Sequence, residues 1–173
     1  MSGTQNRAQQ KNSNLFEKRC IDMDIKIVAG APGAGKNTFV NRSFQNGDIL
    51  IDLDKIYEAI SNTNSHCEKD SEILKVALKV RGFLYEYIRR YVKNRNVWVI
   101  ACLPNGRKRE MLSRSLRDAK VYLIKSTAEQ CIKNIKNDSR RTYSDKHAKK
   151  IVDQWFSEFS ASRKDCIVSW DEK

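Results

Sequence analysis

Apolar residues along the chain follow two alternating rhythms. Short runs of strand length cover Ile25 to Ala29, Ile49 to Asp52, Val97 to Cys102, Val121 to Ile124 and Ile167 to Trp170. Between them lie longer stretches in which apolar positions recur every three or four residues, the period of a helix with one buried face. From Ser71 to Lys93 the residues Ile73, Ala77, Val80, Leu84, Tyr87 and Tyr91 fit that period and predict one long helix with this stripe toward a core. Cys131, Ile132 and Ile135 mark another helix ending near Asn137, and Ala148, Val152, Trp155 and Phe159 mark a third beginning near Asp145. Trp155 and Phe159 read as core rather than as a platform for stacking bases. The polar stretch Ser61 to Asp70 reads as a loop or a join between helices. Strands alternating with helices predict an α/β fold, a parallel sheet with helices on both faces.

At 173 residues the chain has the size of one domain, long enough to bury a core without staples. Residues 23–173 are assigned to that domain and residues 1–22 to a polar tail. Met1 to Asn14 lacks the apolar core of a secretory signal, and its Gln, Asn and Ser content predicts disorder. Val97 to Leu103, the longest apolar run, is far too short to cross a bilayer, so no membrane span is expected. The five cysteines, Cys20, Cys67, Cys102, Cys131 and Cys166, are scattered without the spacing of a zinc or redox motif. They read as free thiols in a reducing cytoplasm, with Cys102 a small buried residue at a strand end. His66 and His147 read as surface residues. A formal net charge of +12 and an isoelectric point near 9.6 favour polyanionic partners, without choosing among nucleotides, nucleic acids and acidic lipids.

One motif narrows that choice. Gly30-Ala31-Pro32-Gly33-Ala34-Gly35-Lys36 follows the first strand and opens a helix through Asn37, Thr38, Phe39 and Val40. In this arrangement a glycine-rich turn aims backbone N–H groups and a helix dipole at phosphate oxygens, and the lysine adds a cation near the β- and γ-phosphates. The expected ligand is a nucleoside triphosphate. The pattern ends with Ser or Thr, whose hydroxyl ligates Mg²⁺, but Asn37 stands there. Its amide oxygen is an acceptable neutral ligand on a longer arm. Thr38 lies about 100° further around the helix and does not replace it directly.

Asp52 and Asp54 close the second strand, where the carboxyl ends of parallel strands border a ligand crevice. Phosphoryl transfer uses one carboxylate to orient the attacking group and commonly another to help hold the metal. The alternative for Asp54 is to cap the helix that follows.

These residues resemble the P-loop kinases related to the phage-type polynucleotide 5′-kinase, with small-molecule kinases and zeta-type toxins as cousins. The likeness spans about Lys26 to Phe159. It rests on Gly30 to Lys36, on Ile51-Asp52-Leu53-Asp54, on the third strand followed by Asn105-Gly106-Arg107-Lys108-Arg109, and on the basic stretch near Arg140. The resemblance implies a three-layer fold whose five parallel strands are ordered 2-3-1-4-5. It also implies Asp54 as general base and a lid arginine, Arg140 or Arg141, steadying the transferred phosphate. The chain departs from the family at Leu53, where an Arg precedes the base, at Cys102, where an Asp ends the third strand, and at Tyr57, where an Arg grips the acceptor's phosphate.

Arg140 and Arg141 lie on the connection between two predicted helices, as lid arginines do. Three basic patches add further charge: Arg89, Arg90, Lys93 and Arg95; Arg107, Lys108, Arg109, Arg114 and Arg117; Lys133, Lys136, Lys146, Lys149 and Lys150. If they line one groove, a polynucleotide acceptor follows. Arg107, Arg109 and Tyr57 are the expected acceptor contacts.

The sequence therefore predicts a Mg²⁺-dependent phosphotransferase taking the γ-phosphate of ATP or GTP to a nucleic-acid 5′-hydroxyl or a nucleotide. Gly30 to Thr38 would hold the donor, Lys36, Asp54, Arg140 and Arg141 would act in transfer, and Asn37 and Asp52 would position the metal. A simple NTPase and a catalytically weakened nucleotide- or nucleic-acid-binding module are the alternatives.

Overall fold

The computed structural model describes residues 24–63, 69–141 and 144–169. The expected N-terminal tail, Cys20, His66, Cys67 and Trp170 lie outside these described residues.

Five strands form one parallel sheet: β1 (Ile25–Ala29), β2 (Ile49–Asp52), β3 (Val97–Ala101), β4 (Lys120–Ile124) and β5 (Asp165–Val168), in the order β2-β3-β1-β4-β5. In the centre, Ile27 lies opposite Val99 on one side and Val121 on the other. Among the described residues six helices connect the strands: α1 (Lys36–Ser43), α2 (Leu53–Ser61), α3 (Ser71–Tyr91), α4 (Gly106–Ser115), α5 (Ala128–Lys136) and α6 (Asp145–Ser157). The predicted fold class and strand order both hold. Among the described residues no helix is long and apolar enough to cross a membrane.

Alternation along each strand sends successive side chains to opposite faces. Ile25, Ile27, Val97, Val99 and Val121 face a core shared with Ile88 of α3 and, at its margin, Ile56 of α2 and Leu112 of α4. Val28, Trp98, Ile100 and Ile124 face the second core, with Val40 of α1, Cys131 and Ile135 of α5, and Val152 and Trp155 of α6. Phe159 stacks on Trp155 with ring centroids 5.2 Å apart. The chain thus has two helical layers, α2–α4 on one face and α1, α5 and α6 on the other.

Two expectations shift. β5 starts two residues early because its first residue, Asp165, is buried in an ion pair, while Cys166 and Ile167 on this edge strand are exposed. Polarity therefore does not mark the start of this strand. In α3 the core face is rotated from the expected stripe. Ala77 and Ile88 are buried and Leu84 and Tyr85 partly so, whereas Val80, Tyr87 and Tyr91 are exposed. The outer aromatics satisfy one another instead: Tyr87 lies 6.1 Å from Phe83 and 5.1 Å from Tyr91, centroid to centroid.

Arg109 is also a correction. Its side chain is fully buried and paired with Asp165, at 2.8 Å from Nε and 2.6 Å from Nη2. Its remaining donors meet the carbonyls of Leu103, Pro104 and Ser160 at 2.7–2.8 Å. Every arm of the guanidinium is occupied, so Arg109 has none left for an acceptor. It clamps the β3–α4 turn to the start of β5. Gly106 lets the same chains meet, since a Cβ there would lie 2.3 Å from the Ala161 carbonyl oxygen.

Candidate active site

The turn from β1 into α1 has two glycines that no other residue could replace without strain. Gly33 has φ 79° and a Cβ there would lie 2.4 Å from the Cys131 carbonyl oxygen; Gly35 has φ 92°. Asn134 of α5 donates from Nδ2 to the Gly33 carbonyl at 2.9 Å and ties the loop to the helix beside it. The other helices are capped by side chains: Asp52, Asp70, Asn105, Thr127 and Ser144 each accept an N–H from the first turn. Among the described helices α1 alone has no such cap, because its N-cap is Gly35. Its first amides and the positive end of its dipole face the cleft, the arrangement that binds anions. Lys36 is buried, and its Nζ donates to the carbonyls of Gly30 and Ala31 at 3.0 and 2.8 Å. That places an ammonium at the mouth of the loop, held by groups a phosphate would replace.

Asp52 ends β2 and caps α2, accepting the Asp54 N–H at 3.0 Å. The helix cap is thus Asp52, and Asp54 stands in the first turn, free of that task. Burial pushes the Asp52 carboxyl above the ordinary carboxylate range, with the nearby Asp54 charge adding to it, although the hydrogen bond from Asp54 N–H opposes the rise. The Asp54 side chain is 43% exposed and forms an ion pair with Lys69. Lys69 also lies 5.6 Å from the centre of the Tyr57 ring. Tyr57 itself is buried, its hydroxyl accepting the Asp70 N–H at 2.9 Å. It supports the α2–α3 junction and does not line the cleft, contrary to the acceptor role expected of it.

Beyond α5, Asp138 organises the two expected lid arginines. Its carboxylate accepts from Arg140 at 2.8 and 2.9 Å and from Arg141 at 3.2 Å. These charge-assisted bonds hold the Asp138 carboxyl well below the usual range, Arg140 contributing most, and raise the Arg140 pKa in turn.

All these elements border one cleft of about 860 Å³. Of the expected residues it gathers Pro32, Gly33, Gly35, Lys36, Asn37, Thr38, Asp52, Asp54, Arg140 and Arg141. Gly30 and Ala31 contribute the carbonyls under Lys36, and Ala34 is buried behind the loop. Cys102, expected to be buried, is exposed and lines the cleft because β3 ends one residue earlier. Arg107 lies outside it, and its neighbour Lys108 lines it instead. Lys69, Arg81, Tyr85, Asn134 and Asp138 were not anticipated. Arg81 and Tyr85 are four residues apart on α3, as are Lys108 and Leu112 on α4, a spacing that marks one helix face.

The three basic patches do not line one groove. Only Lys108 among them borders the cleft. Arg89, Arg90, Lys93 and Arg95 sit where α3 leads into the amino end of β3, the opposite end of the sheet from the cleft. There Arg89 pairs with Glu86 and its carbonyl accepts from Arg117, while Arg95 reaches the Gly47 carbonyl.

Asn37 and Asp52 face the same cleft and supply one amide and one carboxylate oxygen. Hard oxygen donors of this kind suit Mg²⁺, which takes one or two protein oxygens and fills its shell with substrate phosphates and water. The donor set therefore fits the ion.

Strand order, the loop between β1 and α1, and a cleft above the carboxyl ends of the strands together define a three-layer P-loop fold. Solved structures share it. A sugar kinase from Janibacter sp. superposes with a TM-score of 0.58 at 14% identity, covering 87% of each chain. A shikimate kinase from Bacteroides thetaiotaomicron gives 0.51 at 12% identity, over 81% of this chain and 85% of that one. A chain of the Pnkp1/Rnl/Hen1 RNA repair complex gives 0.58 at 16% identity; the match covers 79% of this chain but 44% of that longer one. No protein-family model matches the chain, and no curated protein matches it by sequence.

Proposed function

We propose that this protein is a phosphotransferase that moves the γ-phosphate of ATP or GTP to a hydroxyl of a nucleotide or of a nucleic-acid 5′ end. The observation that carries the reading is the uncapped amino end of α1 with Lys36 beside it, at the floor of a cleft that also holds Asp54 and two arginines. The loop amides take the triphosphate, and Lys36 turns from the Gly30 and Ala31 carbonyls to its β- and γ-phosphates. Asn37 and Asp52 would hold Mg²⁺, which when bound would neutralise charge on the phosphates. Asp54, released from Lys69, accepts the proton of the acceptor hydroxyl. The hydroxyl oxygen bonds to the γ-phosphorus as the bond to the β–γ bridging oxygen breaks, and a nucleoside diphosphate departs. Arg140 and Arg141, aligned by Asp138, face the charge that spreads over the transferring group.

Exposure of Asp54 also favours a second reading, an NTPase in which water takes the acceptor's place. Incubation with γ-labelled ATP and Mg²⁺, alone and with a 5′-hydroxyl oligonucleotide or a nucleotide panel, separates the two. The proposal expects label on an acceptor, reduced by about 10²-fold or more in Lys36→Ala and Asp54→Asn. Phosphate release independent of any acceptor identifies an NTPase, and neither product identifies a binding module.

A further inference from the structure

Six cationic side chains line the cleft against three carboxylates. Four of the six are engaged within the protein: Lys36 by loop carbonyls, Lys69 by Asp54, Arg140 and Arg141 by Asp138. Arg81 and Lys108 are different. Among the described residues neither forms an ion pair.

Their position in the layers separates them from the donor. The phosphate loop, α1 and the Asp138 arginines belong to the face of the sheet packed by α1, α5 and α6. Arg81 on α3 and Lys108 on α4 rise from the other helical layer, whose core includes Tyr85 and Leu112 at its margin. Each of these two helices presents a cation and, one turn further on, an apolar or aromatic side chain. Arg81 lies over the Tyr85 ring, 5.7 Å from its centre, so its guanidinium is held against the wall. Asp52, at the end of β2, and Asp54, in the first turn of α2, border the same cleft. Arg81 is half-buried and Lys108 exposed, and two like charges bordering one cleft raise the local concentration of an anion there. The donor's phosphates are already served by the loop, Lys36 and the arginine pair.

We infer that Arg81 and Lys108 form an acceptor subsite that binds an anionic group of the acceptor, a phosphate or a carboxylate, while Tyr85 and Leu112 take its uncharged body. The acceptor is then an anionic hydroxyl compound of about nucleotide size, and the subsite rests on the phosphotransferase reading above. Arg107 and Arg109, the residues first expected to do this work, flank the one α4 cation that reaches the cleft.

Calorimetric titration of the full chain tests this. The protein is saturated with a non-hydrolysable ATP analogue and Mg²⁺, then titrated with adenosine 3′-phosphate, with gluconate, and with adenosine. Expected is binding of at least one anionic probe more than tenfold tighter than adenosine. Arg81→Gln and Lys108→Gln should each weaken it at least tenfold, Arg81→Lys should restore part of it, and affinity for the ATP analogue should stay within twofold. Whichever anionic probe binds identifies phosphate or carboxylate as the recognised group. Equal binding of adenosine, or anionic binding untouched in both Gln variants, overturns the subsite while leaving donor binding intact. Failure of the ATP analogue to bind the wild-type protein overturns the phosphotransferase reading, and the subsite with it.

Discussion

Asp52 has two tasks that pull against each other. It caps α2 through the Asp54 N–H and presents a carboxylate to the cleft, yet it is 5% exposed and burial raises its pKa. A carboxyl whose folded pKa lies above its unfolded value favours the protonated native state, so ionisation costs stability. The cost begins as pH rises through the ordinary value of 3.8 and is complete above the raised folded value. Asp52→Asn keeps a capping oxygen and removes the charge. The substituted protein should melt no lower than wild type at pH 7, by thermal unfolding, with the advantage vanishing as pH falls below the carboxylate range, while turnover collapses. A lower melting temperature at pH 7 would show that the charge helps the fold. At this scale the sequence disclosed Lys36, Asp52 and Asp54, because a turn between strand and helix and a strand end fix where such residues point. It concealed Lys69, Arg81 and Asp138. A charged residue on a helix or loop has the same local pattern whether it faces solvent or a ligand.

Helices were legible as elements, and their rotation was not. The residues of α3 fit a helical period, but more than one apolar stripe satisfies the spacing, and only packing against the sheet selects one. The same uncertainty of one position in α4 separates Lys108, at the cleft, from Arg109, in the core. Arg109 and Asp165 lock α4 to β5, and this can be tested as a structural bond. Arg109→Met leaves Asp165 buried without its partner and should cost about 3–5 kcal/mol in urea unfolding. Replacing both by apolar residues should recover most of that loss. If instead Arg109→Met keeps full stability and loses acceptor binding, the residue belongs to the site. β5 was displaced in the sequence reading for a related reason: its buried first residue is an aspartate and its middle is exposed.

At the scale of the whole molecule, one cleft is bordered by the loop and Lys36 from one helical layer and by Arg81 and Lys108 from the other. The alternation of strands and helices made the three layers readable, and the family resemblance supplied the strand order. The charge of +12 did not choose among polyanions. Among the described residues the three basic patches lie away from the cleft except at Lys108, so the condition set for a polynucleotide track, one shared groove, is not met. What the arrangement demands first is a bound triphosphate at the amino end of α1. Calorimetric titration of the full chain with MgATP and with MgGTP measures this directly. The account predicts a dissociation constant below about 1 mM for at least one of them, weakened about tenfold or more in Lys36→Ala. Absence of binding to the wild-type protein, or equal affinity in the variant, would contradict it.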